Sequence, residues 1–339
     1  MLKQSDCEKI QRVCDERKLR IRMDCSKVLY IVIPCYNEEL VLPETEKRLT
    51  DKMNRMIQTG LISEKSRIVF VDDGSKDNTW LMIKEMYQEN QYVMGVRSSR
   101  NRGHQNTLLE GLMAVKDDCD MVISMDADLQ DDIEVLDSFV EKYYSGCEIV
   151  YGVRSMRSTD TWFKRTTAEG FYKIMAWMGV NIVYNHADYR LMSRKALHEL
   201  AGFKEVNLFL RGIVPMIGFK TDVVKYERHE RYAGESKYPL RKMLSFALDG
   251  LTSLSIKPIR FISAIGVILF GISLLLLIYF LVGYCMKKTI QGWATLVISI
   301  WGIGGLQLLA IGVIGEYIGK IYLETKERPR FIIEEFLKK

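Results

Sequence analysis

No two of the seven cysteines (Cys7, Cys14, Cys25, Cys35, Cys119, Cys147 and Cys285) are spaced C-x-x-C. The absence of that spacing argues against a zinc or redox site and favours reduced thiols. The first 27 residues alternate charges and hold no apolar h-region, so no signal peptide is expected. Charge of one sign is scarce too: a net +5 over 339 residues carries no argument for nucleic acid. Neither G-x-x-x-x-G-K-[ST] nor, ahead of residue 258, G-x-G-x-x-G occurs, which removes the main support for P-loop NTPases and dinucleotide dehydrogenases.

Charge is also absent locally, and there the absence is informative. Phe261–Met286 contains no charged residue, and after Lys287 and Lys288 neither does Thr289–Gly315. Each run exceeds the roughly 20 residues that cross a hydrocarbon core. Two transmembrane spans, about 261–283 and 291–315, joined by a short loop, are expected as a hairpin (259–318). Lys and Arg crowd the flanks (Arg228, Arg231, Lys237, Arg241, Lys242, Lys257 and Arg260 before, Lys320, Lys326, Arg328 and Arg330 after). This bias places both termini and the preceding domain in the cytoplasm, at the cell membrane. Gly315-x-x-x-Gly319 is the one hint of a homo-oligomer. The mean hydropathy of −0.04 therefore averages a polar part and an apolar one.

The polar part reads as α/β. Strand-like runs at Val28–Pro34, Arg67–Val71, Tyr92–Arg97, Asp120–Met125 and Glu148–Val153 alternate with helical stretches near 39–58, 77–90, 104–116 and 132–144. Continuously apolar strands in that alternation predict a mostly parallel sheet covered on both faces, with ligands at the carboxyl ends of the strands. Four such ends carry polar groups: Pro34-Cys35-Tyr36-Asn37-Glu38, Asp72-Asp73-Gly74-Ser75, Asn101-Arg102-Gly103-His104-Gln105 and Asp126-Ala127-Asp128-Leu129-Gln130. Single clusters of this kind are ordinary turns and caps, Asp77 and Asn78 among them. The pair Asp126/Asp128 is sharper, because two adjacent carboxylates repel unless a cation lies between them. Hard oxygen donors favour Mg²⁺ or Mn²⁺ shared with substrate phosphates.

The order IVIPCYNEE, VDDGSKDNT, NRGHQ, MDADLQDD, YGVRSMRSTDTWFKR, HADYRLMSR and ERHERYAGESKYPLRKM, closed by the hairpin, resembles the family 2 glycosyltransferases of glycosyltransferase-A fold. Within them it is similar to the polyprenyl-phosphate branch, the dolichol-phosphate mannose synthases and bacterial undecaprenyl-phosphate glucosyltransferases. The Q-x-x-R-W motif of processive synthases is absent. The resemblance implies a nucleotide pocket of Pro34, Tyr36, Asn37, Glu38, Asp72 and Asp73, with Asp73 on the base. Gly103, His104, Gln105 and Ala127 would lie beside the sugar nucleotide. Asp126 and Asp128 would be the catalytic pair, with Asp126, Asp128 and Gln130 toward the metal, and Asp188 an acidic group near the sugar.

The expected reaction is inverting transfer of a monosaccharide from a nucleotide sugar, UDP-glucose or a related UDP-hexose, to polyprenyl phosphate. A flippase or membrane glycosyltransferase would take the product on for cell-envelope glycosylation. An anionic acceptor needs cations, and the candidates are Arg154, Lys164, Arg165, Arg228, Arg231 and Lys237, with Ser236. Transfer to another lipid such as diacylglycerol, or a non-catalytic nucleotide-sugar-binding scaffold, are the alternatives. The apolar stretches Phe171–Val180 and Tyr238–Leu254 either lie in the headgroup plane or pack on the sheet. The expected organisation is an extension (1–27), a catalytic domain (28–222), a juxtamembrane segment (223–258), the hairpin, and a cytoplasmic tail (319–339).

Overall fold

A computed structural model describes residues 26–155, 186–206, 208–228, 257–285 and 292–339, which fall into two compact units. The first holds an eight-stranded sheet in the order β7-β5-β6-β4-β1-β2-β3-β8. In chain order its strands are β1 (Leu29–Cys35), β2 (Arg67–Asp72), β3 (Val93–Ser98), β4 (Met121–Ser124), β5 (Ile149–Arg154), β6 (His186–Ser193), β7 (Thr221–Tyr226) and β8 (Ile333–Leu337). Its helices are α1 (Leu42–Gln58), α2 (Thr79–Glu89), α3 (His104–Val115), α4 (Leu136–Tyr144), α5 (Arg194–Ala201) and α6 (Leu210–Met216).

β1 is buried along its whole length, between β2 and β4, and parallel to both. Its alternate residues serve two cores, as a pleated strand requires. Leu29, Ile31, Ile33 and Cys35 join Leu49 and Met53 of α1, Ile83 of α2 and Phe139 of α4. Tyr30 and Val32 join Leu108, Leu109 and Leu112 of α3, Leu197 of α5 and Ile213 of α6. Both faces are covered, which is why the strands are apolar without a break.

The helix on the second face touches the sheet closely at one residue. A Cβ on Gly111 would lie 2.5 Å from Val71 Cγ2 and 2.6 Å from Val32 Cγ1. Both neighbours are β-branched and buried, so Gly111→Ala is expected to lower unfolding stability by about 1–3 kcal/mol through overpacking. Urea titration of the full chain followed by intrinsic fluorescence measures it.

The sheet is mixed where a mostly parallel one is expected. β6 runs antiparallel between β4 and β5, and β8 runs antiparallel along β3. Asp188 and Arg190 break the apolar pattern that would have marked β6. The reversal has a consequence for the site: an antiparallel strand starts where its parallel neighbours end, so β6 delivers Asp188 to the edge formed by the ends of β1 to β4. Ser124 Oγ on β4 donates to the Asp188 carbonyl at 2.6 Å.

The second unit contains the long helices α7 (Lys257–Cys285) and α8 (Trp293–Thr325). Among the described residues, Gly302–Thr325 is the one stretch long and apolar enough to cross a membrane, and Ile259–Leu269 is a shorter apolar stretch. Residues 1–25, Lys164, Arg165, Arg231, Ser236, Lys237, the stretches 171–180 and 238–254, and the loop with Lys287 and Lys288 lie outside the described residues.

Candidate active site

The first two strand ends are stitched together. Asn37, with φ +52°, gives its amide to Ser75 Oγ at 3.0 Å and accepts from the Lys76 amide at 2.9 Å. The Glu38 amide donates to Thr79 Oγ1 at 3.0 Å. Asn78 is the N-cap position of α2 but its side chain donates to Glu39 at 3.1 Å and caps nothing, and Asp77 accepts from the Thr79 amide at 3.1 Å in a local turn ahead of the helix. Pro34 is buried in β1, and Tyr36 is half-buried just after it. Asp72, fully buried, accepts from the Ser75 amide, and burial pushes its carboxyl up.

Asp73 binds the third strand end, accepting from the amides of Arg102 at 2.6 Å and Gly103 at 3.0 Å. These two bonds fix the entry to α3, where Gly103 adopts φ +84°, a conformation that glycine tolerates at little cost. His104 and Gln105 follow at the start of the helix.

The fourth end carries the acidic loop, and it is held from behind. Thr45 Oγ1 donates to the Ala127 carbonyl at 2.9 Å, between the two acids. Buried Lys52 pairs with Glu134 at 3.1 Å and Asp137 at 2.7 Å, anchoring the segment that follows. Asp128 is buried and accepts from the Gln130 amide at 3.1 Å; half-buried Asp126 lies 3.7 Å from His104 Nε2. Burial and the carboxylates of Asp188 and Asp128 push the Asp126 carboxyl up, against the pull of His104.

Asp188 is the most heavily partnered acid of the site. Arg190 Nη2 donates to it, Arg211 Nη2 donates at 3.1 Å, Gln105 Nε2 at 3.4 Å, and His104 Nε2 lies at 3.5 Å. Burial works against its charge, but Arg211, His104 and Arg190 together hold its carboxyl well below the usual carboxylate range. Burial likewise disfavours the His104 imidazolium; Asp188 and Asp126 outweigh it and raise the imidazole to about 8.

The sign of that shift sets a prediction. A histidine raised in the fold contributes stability below its unfolded value of 6.5 and loses it as pH climbs through about 8. NMR titration should therefore place the His104 midpoint near 8, and stability should fall across that window. Asp188→Asn should bring the midpoint down.

A second cluster stands beside the acidic loop. Tyr226 Oη donates to Asp131 Oδ1 at 2.5 Å and accepts from Arg154 Nε at 3.2 Å, while Arg154 Nη2 lies 3.5 Å from Asp131. Arg228 Nη2 donates to Gln130 Oε1. Of the cations expected to meet a phosphate, Arg154 and Arg228 thus stand beside Asp131 and Gln130. Among the described residues Asp131 Oδ2 is buried with no hydrogen-bond partner, and burial and Asp126 push its carboxyl up to about 6.

Sequence reasoning missed Arg190, Arg211, Asp131 and Tyr226 as members of the site. Asp131 was visible as another acid after Gln130, and Arg190 lies inside HADYRL. Arg211 gave no signal, because α6 is a short apolar segment whose place beside β6 is tertiary.

The donor chemistry bears on a divalent ion. Among the described residues no three His, Cys, Asp or Glu side chains form a metal cage. Two carboxylates one residue apart, one of them pushed up by burial and by its acidic neighbours, fit an ion that takes its remaining oxygens from substrate phosphates and water.

The family model "Glycosyl transferase family 2" matches residues 30–201, which includes every strand end described above. A Bacillus subtilis (strain 168) protein described as an uncharacterized glycosyltransferase, YkoT, is 54% identical over 307 residues, covering 91% of each chain. A bactoprenol glucosyl transferase of Shigella phage SfX is 39% identical over 306 residues, 90% of this chain and 98% of that one. A prophage bactoprenol glucosyl transferase homolog of Escherichia coli (strain K12) is 37% identical over 310 residues, 91% of this chain and 99% of that one. With its mixed α/β sheet and its acidic loop at the strand ends, this chain belongs to glycosyl transferase family 2 and is a glycosyltransferase.

Proposed function

We propose that the chain transfers a hexose, with inversion, from a UDP-sugar to polyprenyl phosphate at the cytoplasmic face of the cell membrane. The observation that carries this reading is the meeting of acid and base on one sheet edge. Asp126 and Asp128 stand beside Arg154 and Arg228, so the edge offers carboxylates for a cation with a diphosphate and guanidinium groups for a second phosphate. The relatives named for bactoprenol supply the lipid class.

Asp126 and Asp128, with Gln130 once it leaves Arg228, would hold Mg²⁺ or Mn²⁺. Such an ion supplies charge stabilisation for the departing nucleoside diphosphate. The acceptor needs no strong base, since a phosphate monoester with a second pKa of about 6 is mostly dianionic at neutral pH. Asp188 is unsuited to take a proton, because Arg190, Arg211 and His104 keep it ionised. Its role is to orient: it fixes Arg211, His104 and Gln105 around the place where a sugar hydroxyl would lie.

Membrane attachment through a two-span hairpin belongs to the same reading. Large apolar side chains are exposed on both long helices, among them Val267 at 72% and Leu275 at 69% on α7 and Leu308 at 72% on α8. Patches of that kind call for a lipid or protein partner. β8 follows α8 in the chain yet pairs with β3. A sheet built from strands that precede and follow the two helices is incompatible with one crossing between them; it supports either two or none.

The test gives membranes containing the chain radiolabelled UDP- and GDP-sugars, undecaprenyl phosphate and Mg²⁺ or Mn²⁺. Metal-dependent glycolipid from a UDP-hexose is the expected outcome. No glycolipid with any donor would sink the proposal.

A further inference from the structure

The C-terminal strand touches the wall of the site at two places. First, its pairing with β3 continues beyond the end of that strand. Ser98 is the register partner of Ile333, and the Ser99 amide then donates to the Ile332 carbonyl at 2.9 Å. The tail thereby holds the first residue of the connection that Asp73 fixes at its other end, at Arg102 and Gly103. Second, Arg97 Nε lies between the tail and the second strand end, 3.5 Å from Glu334 Oε2 and 3.8 Å from Asp72 Oδ2. The turn after Asp72 packs on that same connection: a Cβ on Gly74 would lie 2.9 Å from the Asn101 amide nitrogen.

The tail is firmly seated for a terminal segment. Glu335 accepts from Lys84 at 2.8 Å and from Trp80 Nε1 at 3.3 Å. Lys338 pairs with Asp118 at 2.8 Å, and Tyr87 Oη donates to the Lys338 carbonyl at 3.1 Å. Gly95 leaves room at the centre of β3, where a Cβ would lie 3.2 Å from Leu337 Cδ1 and 3.3 Å from Trp80. Edge strands are ordinarily blunted by short length or charge. This one adds main-chain bonds where the donor-side loop begins.

We infer that residues 329–339 are a positioning element of the nucleotide pocket, bracing the Ser99–Gly103 connection and holding Arg97 against Asp72. The inference rests on the proposed nucleotide reading of the Asp72, Asp73 and Gly103 wall. Without the tail, Arg97 loses a carboxylate and the Ser99 amide its partner, so the connection carrying Gly103 and His104 is held from one end only. Donor affinity falls, although none of the tail residues is placed in the pocket.

The experiment uses the full chain in detergent. UDP affinity is measured by calorimetry and amide exchange of residues 99–103 by mass spectrometry, for the intact protein, a chain ending at Arg328, and the double variant Glu334→Gln/Glu335→Gln. Truncation is expected to weaken UDP binding about tenfold and to speed exchange at 99–103, the range of coupling through one packed contact network. A synthetic peptide of residues 329–339 should restore both. The double variant should shift both in the same direction by less, since half-exposed charges contribute little singly.

Unchanged affinity and exchange in a truncated chain that keeps its near-UV dichroism would overturn the inference. If truncation unfolds the chain, the double variant decides, and wild-type values for both readouts overturn it. An intact chain that binds no UDP overturns the nucleotide reading itself and the pocket role of the tail with it.

Discussion

Asp128→Ala is expected to abolish sugar transfer, by at least about 10²–10³-fold, without destabilising the fold. The two halves of that expectation have separate causes. On the reading proposed above, Asp128 is the buried carboxylate on which charge stabilisation of the leaving diphosphate depends. Asp128 accepts from the Gln130 amide two residues on, a bond within the loop itself. Asp126 and Asp131 crowd the same loop, and each is pushed up in part by Asp128. Removing Asp128 relieves that repulsion, so the melting temperature should hold or rise while transfer collapses. A glycolipid assay beside thermal denaturation separates the two. Full activity in the alanine variant would refute the assignment of this loop.

Asp188→Asn has the opposite signature, a large loss of stability with a smaller loss of rate. Arg190 is 1% exposed, and its guanidinium depends on the Asp188 carboxylate. Breaking a buried pair by neutralising one partner costs about 3–5 kcal/mol, because the other charge stays desolvated. Arg211, a third exposed, can turn to solvent and adds less. The rate should fall only tens-fold, since the acceptor phosphate carries its own negative charge and Asp188 orients without taking a proton. Near-complete loss of turnover in a variant that still melts like the native chain would make it a base.

Linkage gives the pH behaviour of the same residue. A carboxyl depressed in the fold contributes stability above its unfolded value of about 3.9 and surrenders it as pH falls toward the folded one. The native chain should therefore lose this stability in acid, below about pH 4, and Asp188→Asn should remove that part of the acid transition.

What could be read from the string follows from the range of the forces involved. Apolar runs of β-branched residues mark β1 to β5, because a strand buried on both faces has no polar positions to interrupt it. Turn and cap residues mark the strand ends, because glycine, asparagine and aspartate act on their own backbone. The Asp126/Asp128 pair was legible because its repulsion is local. The charge-free runs were legible because a long stretch without charge needs no distant partner to be seen.

What stayed hidden depends on partners far apart in sequence. β6 alternates polar and apolar residues from His186 to Leu191, so it lacks the continuous apolar run that marks the other strands, and its place between β4 and β5 buries Asp188 and Arg190. Asp188 read as one acid near a sugar; the fold surrounds it with Arg190, Arg211 and His104 and so decides its protonation. Gln130 read as a metal ligand, and the fold gives its oxygen to Arg228. The last residues read as a tail after the membrane segment, but β3 had an unpaired edge and β8 fills it. Sequence alone thus determined the class of fold, the polar strand ends and the apolar runs, since each is written in neighbouring residues. Tertiary structure decided which charges meet, because an ion pair's protonation and role depend on burial and on partners brought together by packing.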